Sequence, residues 1–313
     1  MKCISCYNKL EKGGVIVKIL CVGQASYDIT IPVDEFPIEN TKNHVDDIIG
    51  CGGGTASNPA FLLGKWGMDV AFAGTIGSDI YGKKIIRELL NAHVDTSYIE
   101  TIEGDTTISY ILVNKQNGSR TVFRNKNVNK LSDLTLDFIP DIILTDGKEY
   151  EQTLKLIEEF PNAITVLDAG KDTEEITNLC YKVDYIVASK EFAEHVTKLK
   201  FIKNDHLSMA NIYNLLYMRF KKNIVITMEE EGCLYKRGDT LKRMPTIKVS
   251  TIDTTGAGDF FHAGFIYGLA KGYSYEHILK IANVTASLSL RYLGSRNSVP
   301  DKREVKEIVH EFE

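Results

Sequence analysis

No apolar run in this 313-residue chain reaches the roughly 20 residues that span a bilayer, and its first residues hold no signal-peptide core. No basic run stands out, and the net charge is -5, which argues against a general nucleic-acid binder. Cysteine is scarce and scattered: Cys3, Cys6, Cys21, Cys51, Cys180 and Cys233 fit free thiols in a reducing cytoplasm, not a disulfide framework. The lone CxxC at Cys3 and Cys6 has no second pair, and a zinc site needs more ligands. No G-x-G-x-x-G follows the first strand-like run, which disfavours a dinucleotide-dependent oxidoreductase. The expectation is a cytoplasmic protein with neither membrane nor nucleic-acid partners, and a disordered leader over residues 1–14.

The chain is 43% hydrophobic and 25% charged, an ordinary globular balance, and long enough for a large core. Val15 to Val22 is nearly continuously apolar, as in a strand buried on both faces, and Val70 to Thr75 repeats the pattern. Phe61 to Trp66 and Gly82 to Ala92 read as helices. From residue 141 strands at Ile142 to Thr145, Ile164 to Leu167, Tyr185 to Ala188 and Ile224 to Thr227 alternate with helices at Glu151 to Glu159 and Met209 to Phe220. Such alternation predicts a parallel sheet with right-handed crossovers. Cys233 to Lys236 and Leu241 to Met244 read as a hairpin, and Thr246 to Val249 as a further strand. Tyr275 to Tyr292 and Lys302 to Phe312 read as closing helices.

Four other segments alternate but are too polar for a central parallel strand: Ile29 to Val33, His44 to Ile49, Thr107 to Val113 and Arg120 to Arg124. They suit a small exposed sheet beside the main one, drawn from about residues 29–49 and 107–124. Arg124 faces the mouth of a site if that sheet is a lid; the plainer reading is a solvated arginine.

Asp253-Thr254-Thr255-Gly256-Ala257-Gly258-Asp259 leads into a helix-like run, Phe260 to Ala270. A helix start has unpaired N–H groups and a partial positive charge, so an anion such as phosphate is the expected occupant. Two glycines permit close backbone approach. A carboxylate in the same turn makes sense if Asp259 handles the nucleophile that attacks phosphorus. Gly50 to Ala60 is a second glycine-rich stretch, in which Asn58 offers donors and an acceptor to a polyol. Gly77 to Lys84 resembles a P-loop but has Lys84 where the magnesium-binding Ser/Thr belongs, and reads as a helix start. Asp28 lies just beyond the first strand, and Asp168, Ser189 and Thr227 end later ones, where open α/β sheets gather ligands. Asn283, Ser287 and the turn at 294–298 are further candidates to border a nucleotide, against ordinary helix packing.

The seven residues ending in Asp259, with Gly53, Gly54, Asn58 and Ala60, resemble the two signatures of the ribokinase-like (PfkB) carbohydrate kinases. The resemblance runs from about residue 18 to the C-terminus. It implies a three-layer α/β/α sandwich with a mostly parallel central sheet and a small β-sheet lid, formed by residues 15–313. It further implies Asp259 as general base, Gly256, Ala257 and Gly258 as an anion hole, and Asp28, Gly53, Gly54 and Asn58 on a sugar or polyol acceptor, which Arg124 is also expected to touch if it faces the mouth. Ser189, Thr227, Gly232 and Asn283 are expected to border ATP, with Mg2+ as cofactor and Asp253 beside a monovalent cation such as K+. A lid-mediated homodimer is allowed. Two positions depart from the pattern: Phe192 stands where the family often has a magnesium-organising Glu, and Glu229 where many members have Gly. The expected activity is an ATP-dependent carbohydrate kinase. Its alternatives are a nucleoside kinase of the same fold and a sugar-binding regulator with impaired catalysis.

Overall fold

The computed structural model describes residues 16–125 and 130–311; the expected leader and its CxxC lie outside them. The strands are β1 (Lys18–Val22), β2 (Ser26–Val33), β3 (Ile49–Gly53), β4 (Asp69–Gly77), β5 (Ile99–Ile102), β6 (Ile108–Asn114) and β7 (Arg120–Arg124). They continue with β8 (Ile142–Thr145), β9 (Ile164–Ala169), β10 (Tyr185–Ser189), β11 (Asn223–Thr227), β12 (Cys233–Arg237) and β13 (Thr240–Met244). The helices are α1 (Ser57–Lys65), α2 (Ile80–Asn91), α3 (Tyr150–Glu159), α4 (Glu174–Cys180), α5 (Lys190–Thr197), α6 (His206–Phe220), α7 (Ala257–Ala270), α8 (Tyr275–Leu288) and α9 (Lys302–Glu311).

The large sheet has the order β13-β12-β11-β10-β9-β8-β1-β4-β5, parallel from β11 to β5 and ending in the antiparallel pair β12 and β13. Its strands read as apolar runs because both faces are covered. Ile19, Cys21, Phe72, Leu144 and Val187 pack toward α1, α7 and α8, while Val22, Ile143, Leu167, Ile186 and Ile226 pack toward α3 to α6. Helices therefore flank the sheet on both sides, as expected. Helix α7 is buried continuously from Phe260 to Ala270, the behaviour of a helix apolar all round. Each large side chain buried there contributes about 1.5–3 kcal/mol. Chain order reverses at β1, flanked by β4 and β8, so a crevice opens beyond their carboxyl ends.

The small sheet has the order β3-β2-β6-β7. Its register places Asp28, Ser109 and Arg124 side by side on one face, followed by Thr30, Ile111 and Val122, then Val113 and Arg120. Ile29, Ile31, Tyr110, Leu112 and Phe123 share the opposite face.

Several expectations are corrected. The strand sought at His44 to Ile49 is instead Ile49–Gly53, built from the glycines themselves. A Cβ on Gly52 would lie 2.1 Å from Arg296 Nη1, and one on Gly53 2.0 Å from Asp28 Oδ2, so packing against charged side chains selects glycine where strand propensity would not. Asp28 lies within β2 rather than in a loop after β1. Residues 246–249 form no strand. The long helix from Tyr275 stops at Leu288 and continues as a 3-10 turn. Helices α4 and α5 and strand β5 were not anticipated.

Candidate active site

The crevice at the reversal point brings together the ends of β1, β8 and β9, the start of α1 and the start of α7. Asp146, just past β8, ties the first two together: its Oδ2 accepts from Gln24 N (2.8 Å) and from the Thr55 hydroxyl. Helix α1 follows directly, so Asn58 enters the crevice from its first turn. Gly256, at φ +81°, lets the chain turn sharply into α7. A Cβ on Gly258 would meet nothing within 4 Å, so open space lies over this helix start.

Asn58 is only 1% exposed, and its Nδ2 donates to Asp259 Oδ2 at 2.7 Å. Its Oδ1 accepts from Arg296 Nε at 3.4 Å, which fixes the amide with its nitrogen toward Asp259. Asn58 therefore orients the carboxylate with one of its two amide hydrogens. Asp259 keeps some exposed surface but lies deep in the crevice. That depth pushes its pKa up to about 8, opposed by the Asn58 hydrogen bond, reinforced by repulsion from Asp168 and Asp28, and eased by Arg120.

Asp28 is buried, and burial raises its pKa against the hydroxyls of Ser26 and Ser109 and the charges of Arg124 and Arg296. Gly53 gives it room, and Gly54, at φ +111°, passes within 2.4 Å of Gln24 O as a Cβ would measure it. Arg124 donates from Nε to Ser109 Oγ (3.0 Å) and from Nη1 to Gln24 Oε1 (3.1 Å), so it faces the crevice. Asp253 is buried and accepts from Thr255 N (2.8 Å) and Gly294 N (2.9 Å), closing the signature loop onto the turn after α8.

The nucleotide candidates are spread along the ends of β10, β11 and β12. Ser189 caps α5, accepting from Phe192 N and donating to Gly170 O, and Thr227 donates to Ala188 O. Gly232 is required by φ +90°, with Met244 O 1.9 Å from its would-be Cβ. Asn283 is corrected: it is 3% exposed and spends its amide on Leu279 O and Cys233 Sγ, because it lies on the buried face of α8. Phe192 fills the core below α5. Glu229 adopts φ +52°, which explains why glycine suits this position, and lies 3.8 Å from Lys190 Nζ.

Sequence reasoning missed Asp146, Arg120 and His262, and reached Arg296 only as part of the turn at 294–298, a candidate nucleotide border. His262 Nδ1 donates to Gly258 O at 2.7 Å, since a carbonyl only accepts, and its Nε2 lies 3.6 Å from Asp168 Oδ1. Its place three residues after Asp259, on the same helix face, was the one available signal. Arg296 and Arg120 carry no local signature.

The pfkB family carbohydrate kinase model matches residues 17–302. The ribokinase of Lactococcus lactis is 25% identical over 95% of this chain and 99% of its own length. The nucleoside kinase of Methanocaldococcus jannaschii is 26% identical over 94% of this chain and 97% of its own. The structure of Arabidopsis thaliana ribokinase complexed with ribose and ATP superposes with a TM-score of 0.79 at 20% identity, covering 94% of this chain and 99% of that one, and so shares its fold. The chain belongs to the pfkB family carbohydrate kinases and is a phosphotransferase acting on an alcohol group.

Proposed function

We propose that the chain transfers the γ-phosphoryl group of ATP to a hydroxyl of a sugar or related polyol, with Asp259 as general base. The observation that carries this reading is Asp259 itself, aimed by Asn58 into open space over the start of α7. Asp259 takes the hydroxyl proton as that oxygen attacks phosphorus, and the phosphoryl oxygens lie on the backbone amides of Gly256, Ala257 and Gly258. Mg2+ would be held chiefly by the nucleotide's phosphates, as is usual for this ion at phosphoryl-transfer sites. When bound there, Mg2+ neutralises phosphate charge. Beside Asp253, the buried Thr255 hydroxyl lacks a hydrogen-bond partner, and this oxygen pair fits a monovalent cation. The ends of β10 and β11, at Ser189 and Thr227, and Gly232 just before β12 border the nucleotide.

The acceptor lies between Asp28 and the inward face of the small sheet, which acts as a lid that excludes water. Its inward strand positions, Asp28, Thr30, Ser109, Ile111, Arg120, Val122 and Arg124, include no aromatic ring to stack on a base. This favours a sugar over a nucleoside. The test is ADP release across pentoses, hexoses, ketoses, keto-deoxy acids and nucleosides. Turnover with a polyol is expected; turnover with nucleosides alone would transfer the site to a nucleoside kinase.

In the Asp28→Ala variant the acceptor KM should rise about tenfold to a hundredfold, since a hydrogen bond to a charged group is worth about 1.5–3 kcal/mol. The KM for ATP should barely move. A rise in the ATP KM alone would sink the assignment of Asp28.

The outward lid face leaves Tyr110 45% and Phe123 59% exposed beside Ile29, Ile31 and Leu112. Among the described residues its edge strands β3 and β7 pair with no further strand, and together these favour a homodimer through the lids. Sedimentation should show a dimer for the wild type and a monomer for Phe123→Glu. A wild type that sediments as a monomer at assay concentration ends this idea.

A further inference from the structure

Arg120 projects from the β6–β7 hairpin toward the signature loop. Its Nη1 donates to the Thr254 carbonyl (2.8 Å) and to the Thr254 hydroxyl oxygen (2.5 Å). The same hydroxyl lies 3.1 Å from the Gly118 carbonyl. Proton directions follow: a carbonyl only accepts, so Thr254 gives its single proton to Gly118 and receives one from Arg120. The hairpin turn sits flush against the loop. A Cβ on Gly118, already at φ +69°, would come 2.8 Å from Thr251 Cγ2. Three hydrogen bonds thus clip the tip of the small sheet onto the residues that lead into Asp259.

Four groups from four elements face Asp259: Asn58 from α1, Asp168 from β9, Asp28 from β2 and Arg120 from β7. Asp168 is in turn faced by His262 of α7 and by Asp146 after β8. Arg120 is the cation in the first set, and its charge draws the Asp259 pKa down against the two carboxylates. It is carried by the lid, whereas the carboxylates it opposes are not all so carried.

We propose that Arg120 is a positioning residue that latches the lid to the signature loop and, by latching, sets a positive charge beside the base. The latch rests on the kinase reading for its role in turnover, but its mechanical part stands on the three hydrogen bonds alone. Lid closure then does two things at once. It seals the acceptor from water, and it brings the Arg120 charge to oppose the rise in Asp259 proton affinity that burial and Asp28 cause. An open lid leaves the signature loop less held, which disfavours attack by water on ATP.

The test uses Arg120→Met and Arg120→Lys in the full chain, with two readouts. The first is hydrogen exchange without ligands at 114–119 and 251–256. In Arg120→Met both segments should exchange faster together, while the core strands stay unchanged. The second is the pH profile of kcat/KM for the acceptor. Loss of the cation raises the proton affinity of Asp259, so the acidic limb should move up by about half a pH unit or more. The kcat should fall about tenfold to a hundredfold, the worth of a charge-assisted hydrogen bond. Arg120→Lys keeps the charge without the two-pronged geometry, so it should restore the limb but only part of kcat. A purely structural role for Arg120 would move no limb. Unchanged exchange at both segments overturns the latch, and so does a limb that stays in place in an active Arg120→Met enzyme. If exchange rises as described while the wild type phosphorylates no acceptor, the latch stands and the kinase reading fails.

Discussion

Asp259→Asn should bind its acceptor with little change and turn it over about 10²–10⁴-fold more slowly, the usual contribution of a general base. The amide keeps the size of the carboxylate and its contact with Asn58, but it has no basic oxygen to take the hydroxyl proton. The same residue sets the wild-type pH dependence. Burial, with Asp168 and Asp28 nearby, places its pKa at about 8, so the free enzyme gains its base as pH rises through that value. The kcat/KM for the acceptor should climb with pH up to about 8, and the variant should lose that limb. The shift also acts on stability. A carboxyl with a raised folded pKa favours the folded state most below its unfolded value near 3.8, and that contribution fades as pH approaches about 8. A variant that retains more than about a tenth of wild-type kcat would show that Asp259 is not the base.

Arg296→Met should cost the protein about 3–5 kcal/mol, the price of breaking a buried ion pair from one side. Arg296 is 4% exposed; it donates to Glu88 Oε2 at 2.9 Å, to the Ser57 hydroxyl and to Asn58 Oδ1, and lies over the Phe61 ring at 4.9 Å. Methionine fills the space but leaves the Glu88 charge without its counter-ion and the Ser57 and Asn58 oxygens without this donor. Glu88 keeps its bond from Gly52 N and some water, so the lower end of that range is expected. Lysine should not rescue, because one ammonium cannot serve three acceptors in a plane. Turnover should fall too, since Asn58 loses the contact that aims its amide at Asp259. Chemical denaturation of both variants measures the loss. A change under about 1 kcal/mol would mean that Glu88 and Asn58 find water instead.

The strands of the large sheet were legible because burial on both faces leaves a run of apolar residues that short-range reading detects. Ile142 to Thr145 and Ile224 to Thr227 are recovered to within a residue. Short polar helices such as α4 and α5 escaped, since seven or eight residues hold too few turns for a periodic signal. Strand β3 was misplaced because glycines that look like a loop are chosen there for what stands over them. Asn283 was misread because an asparagine facing a crevice and one buried on a helix look alike in a single chain.

Local sequence determined the parts that work at short range: the glycine-permitted turn into α7, the carboxylate in its first turn, and the apolar strands that build the sheet. Those depend on backbone conformation and on the period of side chains, which a chain carries with it. Tertiary structure decided which groups act on that carboxylate. Asn58 lies 201 residues from Asp259, and Arg296 lies 238 from Asn58, yet they form one line of hydrogen bonds. Arg120 meets Thr254 across 134 residues. Charge and burial act through space, not along the chain, so the state of the base follows from neighbours that only folding brings together.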